Sequence, residues 1–255
     1  MMSERKWIIA SISPTGGTQK VADAIASGFH SEFIQMDLTD PNCQVELGEQ
    51  DLLMAVLPVY AGRVPQVSLQ RLSALKGKGQ KAVAVVVYGN REYDDALLEL
   101  KDALISYGFQ VIAAAAFIAE HSVVRSIAAA RPDETDVKIA QQFAADVMDR
   151  IEKEDPCPEL NIPGNTPYVA LRASAFHPQA SDACVDCGLC AAKCPTLAIP
   201  KDAPAQTDND LCINCLRCVQ ICPQQARALP DAFIAGATKM LNEKAAGYKT
   251  PVIFL

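Results

Sequence analysis

The stretch that decides the fold runs from Cys184 to Pro223 and carries one cysteine pattern twice. Its two copies read Cys184-x-x-Cys187-x-x-Cys190-x-x-x-Cys194-Pro195 and Cys212-x-x-Cys215-x-x-Cys218-x-x-x-Cys222-Pro223. Each cysteine of the second copy lies 28 positions after its counterpart, since 212 − 184 = 28. Ala198 and Ala226 correspond in the same way, so the pattern indicates an internal duplication.

The spacing within each copy suits an iron–sulfur cluster. A cubane [4Fe–4S] cluster needs four converging thiolates, and a Cys-x-x-Cys-x-x-Cys loop can supply three of them from one side. Structural zinc uses separated Cys-x-x-Cys pairs and has no need of a third cysteine followed by Cys-Pro. Disulfides are disfavoured because nothing in the chain suggests export.

The segment Cys184–Arg227 resembles the bacterial two-cluster ferredoxins, in which the cysteine before proline ligates the other cluster. The resemblance implies two [4Fe–4S] clusters with crossed ligand sets. These are Cys184, Cys187, Cys190 and Cys222 for cluster 1, and Cys194, Cys212, Cys215 and Cys218 for cluster 2. Gly188 suits close backbone approach to cluster sulfides, but its counterpart is Leu216, so the loops differ chemically.

Composition narrows the function classes. The 255 residues are 50% hydrophobic and carry a formal charge of −7, which argues against nucleic acid and anionic membranes as partners and is compatible with basic redox proteins. Neither a signal peptide nor an apolar run long enough to span a bilayer is evident. Ten cysteines then favour metal over disulfides, and the expected location is an oxygen-poor cytoplasm.

Five apolar runs alternate with helical patterns before residue 154. The predicted strands are Trp7–Ser11, Glu32–Asp37, Asp51–Leu57, Lys81–Val87 and Phe109–Ile118. Helices are predicted after Thr18, around Leu97–Leu104 with Gly108 at the end, and from Pro132 to about Lys153. This alternation predicts an α/β fold, a doubly wound five-stranded parallel sheet that binds its ligand at the carboxyl ends of the strands.

The loop after the first strand is suited to binding an anion. It reads Ser13-Pro14-Thr15-Gly16-Gly17-Thr18 and leads into a helix, whose N-terminus carries partial positive charge. No Lys or Arg lies inside it, so a phosphate would be held by neutral dipoles. A Walker A loop is excluded because no Gly-Lys-Ser/Thr follows, and the Rossmann glycine pattern is absent as well.

Ser13-x-Thr15-Gly16-x-Thr18 resembles the flavin mononucleotide (FMN) phosphate loop of flavodoxins, although Pro14 replaces a common glycine. The resemblance implies the flavodoxin strand order 2-1-3-4-5. It also implies that the loops after the third and fourth strands flank the flavin ring. Their residues are Pro58, Val59, Tyr60, Ala61, Gly62 and Arg63, and Tyr88, Gly89, Asn90, Arg91, Tyr93 and Asp94. Taken singly, Tyr60 is equally consistent with an ordinary half-buried aromatic side chain. Arg63 and Arg91 are equally consistent with solvated surface charges.

Other candidate residues favour ordinary roles. Cys43 and Cys157 lie outside both copies and are expected to be non-ligand thiols. His121 reads better as a surface histidine than as a group at the flavin edge, and His177 reads as structural. Segment 181–229 holds five Asp and four Lys or Arg, a near balance that offers no strong electrostatic influence on the clusters.

The predicted organisation has three parts. Residues 1–160 form a flavodoxin-like FMN domain, followed by a linker at about 154–174 rich in Pro. Residues 161–230 form a small α+β domain with two clusters. Residues 231–255 form a helix and an apolar tail, which we predict to pack back on the first domain.

Together the two resemblances match the flavodoxin–ferredoxin fusion proteins, and Tyr88-Gly89-Asn90-Arg91, Asp94 and Glu120-His121-Ser122 look like that family in particular. The family implies electron transfer between FMN and two clusters, linking one- and two-electron redox partners. An FMN-dependent reductase of a small molecule, supplied through the clusters, is the alternative. The carrier is favoured because no substrate pocket is specified, and either a monomer or a homodimer is compatible.

Overall fold

The computed structural model describes residues 5–29, 31–153, 159–171 and 174–255. Cys157 lies outside these ranges. The strands are β1 Trp7–Ser11, β2 Phe33–Asp37, β3 Leu52–Pro58, β4 Lys81–Tyr88, β5 Gln110–Ile118, β6 Gln179–Ala180, β7 Arg227–Ala228 and β8 Val252–Phe254. The helices are α1 Gly17–Ala26, α2 Gln66–Leu72, α3 Ala96–Ser106, α4 Glu134–Glu152, α5 Leu189–Ala192, α6 Arg217–Gln220 and α7 Asp231–Lys244. Across the described ranges, no helix is both long and apolar enough to cross a bilayer.

The main sheet has the order β2-β1-β3-β4-β5-β8, and its first five strands are parallel. This confirms the predicted α/β class and the order 2-1-3-4-5. Strands β1, β3, β4 and β5 are almost wholly buried, because helices cover both faces of the sheet. Helices α1 and α4 pack together over one face, and α2 and α3 lie over the other.

Two elements of the sheet domain differ from the sequence-based prediction. Helix α2 was missed, since its seven residues offer only Leu69 and Leu72 as a helical repeat. Strand β2 is an edge strand with Phe33 and Ile34 exposed, so coverage of the sheet is incomplete there.

The C-terminal segment extends the sheet and restrains two of its loops. Strand β8 pairs antiparallel with β5, placing Ile253 opposite Ala115. Leu241 and Ala245 of the α7 region pack on Val124 and Ile127 in the loop after β5. Asn90, in the loop after β4, donates to the carbonyl oxygens of residues 245 and 247 at 2.6 and 2.9 Å. The tail thus holds the loops after β4 and β5 in place.

The linker is tied to the sheet domain by one buried carboxylate. Asp95, at the start of α3, accepts hydrogen bonds from the Asn165 N–H at 2.8 Å and the Val169 N–H at 2.7 Å. These bonds outweigh burial, which raises the pKa of a carboxyl, and they hold the Asp95 pKa below its usual value. Tyr168 donates to Asp102 of α3 at 2.6 Å. Residues 165–169 of the linker therefore lie against α3.

In the cysteine segment, the two copies share a backbone conformation. Positive φ angles occur in pairs separated by 28 residues: 50° and 52° at Asp186 and Asn214, 72° and 60° at Gly188 and Leu216, and 58° and 51° at Leu197 and Gln225. The predicted glycine therefore occupies a left-handed position, and leucine adopts the same conformation in the second copy at some steric cost. Strands β6 and β7 pair at the base of this module.

Candidate cofactor sites

The phosphate loop joins β1 to α1 at the carboxyl end of the sheet. Gly16 has φ +89°, a conformation that opens the loop and is costly for other residues. The hydroxyl of Ser13 accepts from the Gln19 N–H at 2.8 Å and so closes the loop on itself. Among the described residues, no acceptor contacts the N–H groups of Thr15, Gly17 and Thr18. These three donors suit an anion.

A cleft runs from this loop across the strand ends. It is lined by Pro14, Thr15, Gly17, Thr18, Pro58, Val59, Tyr60, Val87, Tyr88, Gly89, Ala119, Glu120, His121 and Ser122. The three predicted loops therefore meet, and the loop after β5 joins them. The cleft measures about 60 Å³, against roughly 300–1,000 Å³ for typical cofactor pockets. Flavin binding therefore requires the loops to part or leaves part of the cofactor at the surface.

Several predicted flanking residues lie elsewhere. A second cavity of about 650 Å³, sharing no lining residue with the cleft, is bordered by Ala61, Gly62, Arg91, Tyr93 and Asp94 among others. Arg63 turns away from the cleft, and its Nε donates to Glu99 at 2.8 Å. Asn90 is engaged with the C-terminal chain, and Ser13 and Gly16 shape the loop without lining the cleft.

Two glycines predicted to approach the flavin instead accommodate protein side chains. A Cβ at Gly89 would lie 2.4 Å from His121 Cδ2, and a Cβ at Gly62 would lie 2.4 Å from Asp94 Oδ2. Gly62 also has φ +83°. Both glycines therefore allow close packing between neighbouring loops, while their predicted role beside the flavin stays a prediction.

His121 lines the cleft, so the prediction of a plain surface histidine was wrong. Its Nδ1 accepts from the N–H groups of Val123 and Val124, each at 3.2 Å. Burial, aided by the charge of Arg91, lowers the His121 pKa. The ring is therefore held neutral with its Nε2 available as a donor. His177, by contrast, is buried with its Nε2 3.0 Å from the Ser174 carbonyl, and Cys43 packs at the edge of the core.

The first predicted ligand set surrounds a common cavity. Cys184, Cys187, Cys190 and Cys222 all line it, so the second copy contributes its last cysteine across the module. The cavity measures about 20 Å³.

The second predicted set is also gathered in one place. Cys194 lies close enough to Cys212, Cys215 and Cys218 to act on each thiol electrostatically. Burial raises the pKa of Cys215 to about 12 and that of Cys218 to about 11. Such thiols release their protons on binding metal. Among the described residues, no group of three or more His, Cys, Asp or Glu side chains is placed to hold a single metal ion. The ligands of a cubane lie farther apart than those of one ion, because they surround the whole cluster.

The second copy packs directly against the phosphate loop and the cleft. Arg217 Nη1 lies 3.3 Å from the Pro14 carbonyl oxygen, and Gln220 Nε2 lies 3.2 Å from that of Thr15. Burial and the neighbouring Cys215 thiol raise the pKa of Tyr60 well above 10.0. Tyr60, which lines the cleft, is therefore also a neighbour of the second cysteine set.

One part of the chain matches a known protein family. Residues 178–223 match the family model described as a 4Fe-4S dicluster domain. Comparison with curated proteins gives no match.

Similar solved structures cover the N-terminal part. A flavodoxin from the domain Archaea is 15% identical with TM-score 0.46, over 58% of this chain and 99% of that one. Oxidised flavodoxin 1 from Bacillus cereus is 18% identical with TM-score 0.43, over 56% and 97%. Rubredoxin oxygen:oxidoreductase from Desulfovibrio gigas is 14% identical with TM-score 0.43, over 58% of this chain and only 36% of its own length.

The strand order of the main sheet is that of the flavodoxin fold. It precedes a segment that matches an iron–sulfur family. This combination is the one expected of a flavodoxin–ferredoxin fusion.

Proposed function

We propose that this protein passes electrons between FMN and two [4Fe–4S] clusters and so links one- and two-electron redox partners. The observation that carries the proposal is the packing of the second cysteine copy against the phosphate loop and Tyr60. Two groups that exchange electrons must lie close together, and this contact brings their candidate sites together within one chain.

The residues divide among the groups as follows. The N–H groups of Thr15, Gly17 and Thr18 would receive the FMN phosphate, and Tyr60, Tyr88 and His121 would contact the rest of the cofactor. The eight cysteines of the two copies would form the crossed ligand sets predicted from the sequence. When bound, the flavin supplies exchange of one or two electrons and each cluster supplies exchange of one.

The first copy provides the exchange surface for a partner protein. Cys187 is exposed, and so are Val185 and Leu189 on either side of it. All five Asp of segment 181–229 are exposed, whereas Arg217 lies at the domain junction and Arg227 is buried. Only Lys193 and Lys201 remain to offset those carboxylates, so the expected near balance of charge does not hold at the surface. A partner with a basic face fits this copy.

The proposal includes the division into residues 1–160, 161–230 and 231–255, and a location in an oxygen-poor cytoplasm.

The reductase alternative has one observation in its favour, the open cavity of about 650 Å³ bordered by the loops after β3 and β4. It shares no lining residue with the cleft, because Asp94 packs against Gly62 and the Asp95 N–H donates to the Gly62 carbonyl at 3.1 Å. The carrier is therefore the better-supported function.

Anaerobic purification followed by cofactor analysis tests the proposal. We expect about eight iron atoms and about one flavin per chain, with a broad absorption near roughly 400 nm beside the flavin bands. Stepwise reduction with dithionite should bleach both signals. A colourless chain, or one that binds zinc alone after reconstitution with iron and sulfide, would disprove the proposal.

A further inference from the structure

The phosphate loop contains no cation of its own, but the fold brings one to it from the cysteine module. Arg217 lies between Cys215 and Cys218 of the second copy, 203 residues after Pro14. Its Nη1 donates to the Pro14 carbonyl oxygen at 3.3 Å. A positive charge therefore borders the loop whose sequence offers only neutral donors.

The guanidinium of Arg217 is left short of partners. No carboxylate forms an ion pair with it among the described residues, and its Nε is buried without an acceptor. The Pro14 carbonyl is the one acceptor that contacts it in the described part of the chain, although a guanidinium offers five N–H donors. A half-buried cation with unused donors is costly unless an anion joins it.

The neighbouring groups favour an anion on the loop side. The N–H groups of Thr15, Gly17 and Thr18 have no acceptor among the described residues. Glu120, the acidic residue that lines the cleft, is occupied by Arg125 and by the Ala130 N–H at 3.1 Å. Unused neutral donors and an unpaired guanidinium thus border the same loop, and together they suit a doubly charged phosphate.

We propose that Arg217 pairs with the phosphate of FMN across the domain junction. The inference rests on the proposed function and adds to it a determinant of cofactor choice. The neutral donors of the loop already favour FMN over riboflavin, which lacks the phosphate, and Arg217 strengthens that preference. Docking of the second cysteine copy and binding of FMN then stabilise one another, because the same side chain takes part in both.

Flavin titration of the full-length, cluster-loaded protein tests this role. FMN and riboflavin are added separately under anaerobic conditions, and quenching of flavin fluorescence gives each dissociation constant. Arg217→Gln should weaken FMN binding about 10- to 100-fold and leave riboflavin binding unchanged. Raising the salt concentration should weaken FMN binding by the wild type more than by the variant.

Two matched variants separate charge from packing. Gln220→Ala removes the neighbouring side-chain bond to the same loop and should leave the preference for FMN over riboflavin intact. Arg217→Lys keeps the charge and should retain most of that preference, and it serves as the comparison if the Gln variant loses iron. Equal weakening of both flavins by Arg217→Gln, or no change in either, would overturn the inference. A wild-type chain that loads iron but binds neither flavin would instead refute the proposed function itself.

Discussion

The two cysteine copies have the same spacing and the same left-handed positions, yet their surroundings differ. Cys187 of the first copy is exposed, whereas its counterpart Cys215 is 8% exposed and lies beside Tyr60. Gly188 has open space above it, whereas its counterpart Leu216 is buried. A duplicated motif has thus produced one copy with an exposed cysteine loop and one whose loop faces the rest of the chain.

The difference extends past the cysteines. Arg227 is 2% exposed, and its guanidinium donates to Thr207 Oγ1 and to the Gln206 carbonyl oxygen at 2.9 Å each. The position 28 residues earlier is Ile199, which has no charge to offer. Arg227 thus secures residues 204–207 between the two copies, and the first copy has no equivalent side chain. The copies therefore share their cysteine spacing but not this support.

Removing one cysteine from each copy tests the comparison most strongly. Cys187→Ser and Cys215→Ser should each lose about half of the bound iron, since each removes one cluster ligand. Only Cys215→Ser should also weaken FMN binding, by about tenfold or more, because Arg217 and Gln220 of its loop contact the phosphate loop. Iron analysis and flavin titration measure the two effects independently.

A third variant, Cys43→Ser, is the control and should change neither quantity, because Cys43 packs at the edge of the core and lies outside both cysteine copies in the sequence. If Cys187→Ser weakens FMN binding as much as Cys215→Ser does, the two copies are equivalent in their coupling to the sheet domain. The comparison would then fail.

A smaller effect is expected at the linker, where Asn165, Tyr168 and Val169 contact α3 and its N-terminus. Asp95→Asn should destabilise the protein by about 2–3 kcal/mol, because a charged acceptor of three hydrogen bonds is lost. Both copies should retain their iron equally. Thermal unfolding and iron analysis of the variant check the two statements.

The same carboxylate gives a pH dependence of known sign. Its pKa is lowered on folding, so its contribution is complete above the usual value of 3.8 and is lost as the pH falls through the lowered value. The stability difference between wild type and Asp95→Asn should therefore shrink in acid. A difference that stays constant from neutral pH to strong acid would show that the charge of Asp95 has no part in holding the linker.

Strand positions were predictable because apolar runs with β-branched residues lie in a buried parallel sheet, and β1 to β5 begin within one residue of the predicted starts. The pairing of β8 with β5 was not predictable from its three residues, since strand pairing depends on contacts far apart in the chain. The hydrogen bonds from Asn90 to the C-terminal segment were not predictable for the same reason. The sequence analysis had placed Asn90 beside the flavin.

The candidate cofactor sites were likewise predictable only in part. Local spacing indicated the duplicated cysteines and the anion-binding loop, whereas the crossed ligand sets and the flavin-flanking loops stay predictions implied by the two resemblances. It could not show that the second copy packs on Pro14 and Thr15, because no local pattern records an interface between segments 203 residues apart. His121 was underestimated for the same reason, since its burial arises from loops that meet only in the fold.

The smallest expected effect lies at Gly188, a glycine that the first cysteine loop carries and the second does not. Gly188→Ala should cost about 1–2 kcal/mol, because alanine must adopt φ near 72°, while the space around its Cβ is free. Leu216 already tolerates φ 60° at the matching position, so iron content should be unchanged and cluster loss in urea only modestly faster. Gly188→Leu, which introduces the residue of the second copy at this position, should behave alike because Leu216 holds the corresponding left-handed backbone conformation. Loss of iron from both variants would mean that the first copy requires glycine for close approach to its cluster, and that the shared backbone conformation hides a real difference between the two loops.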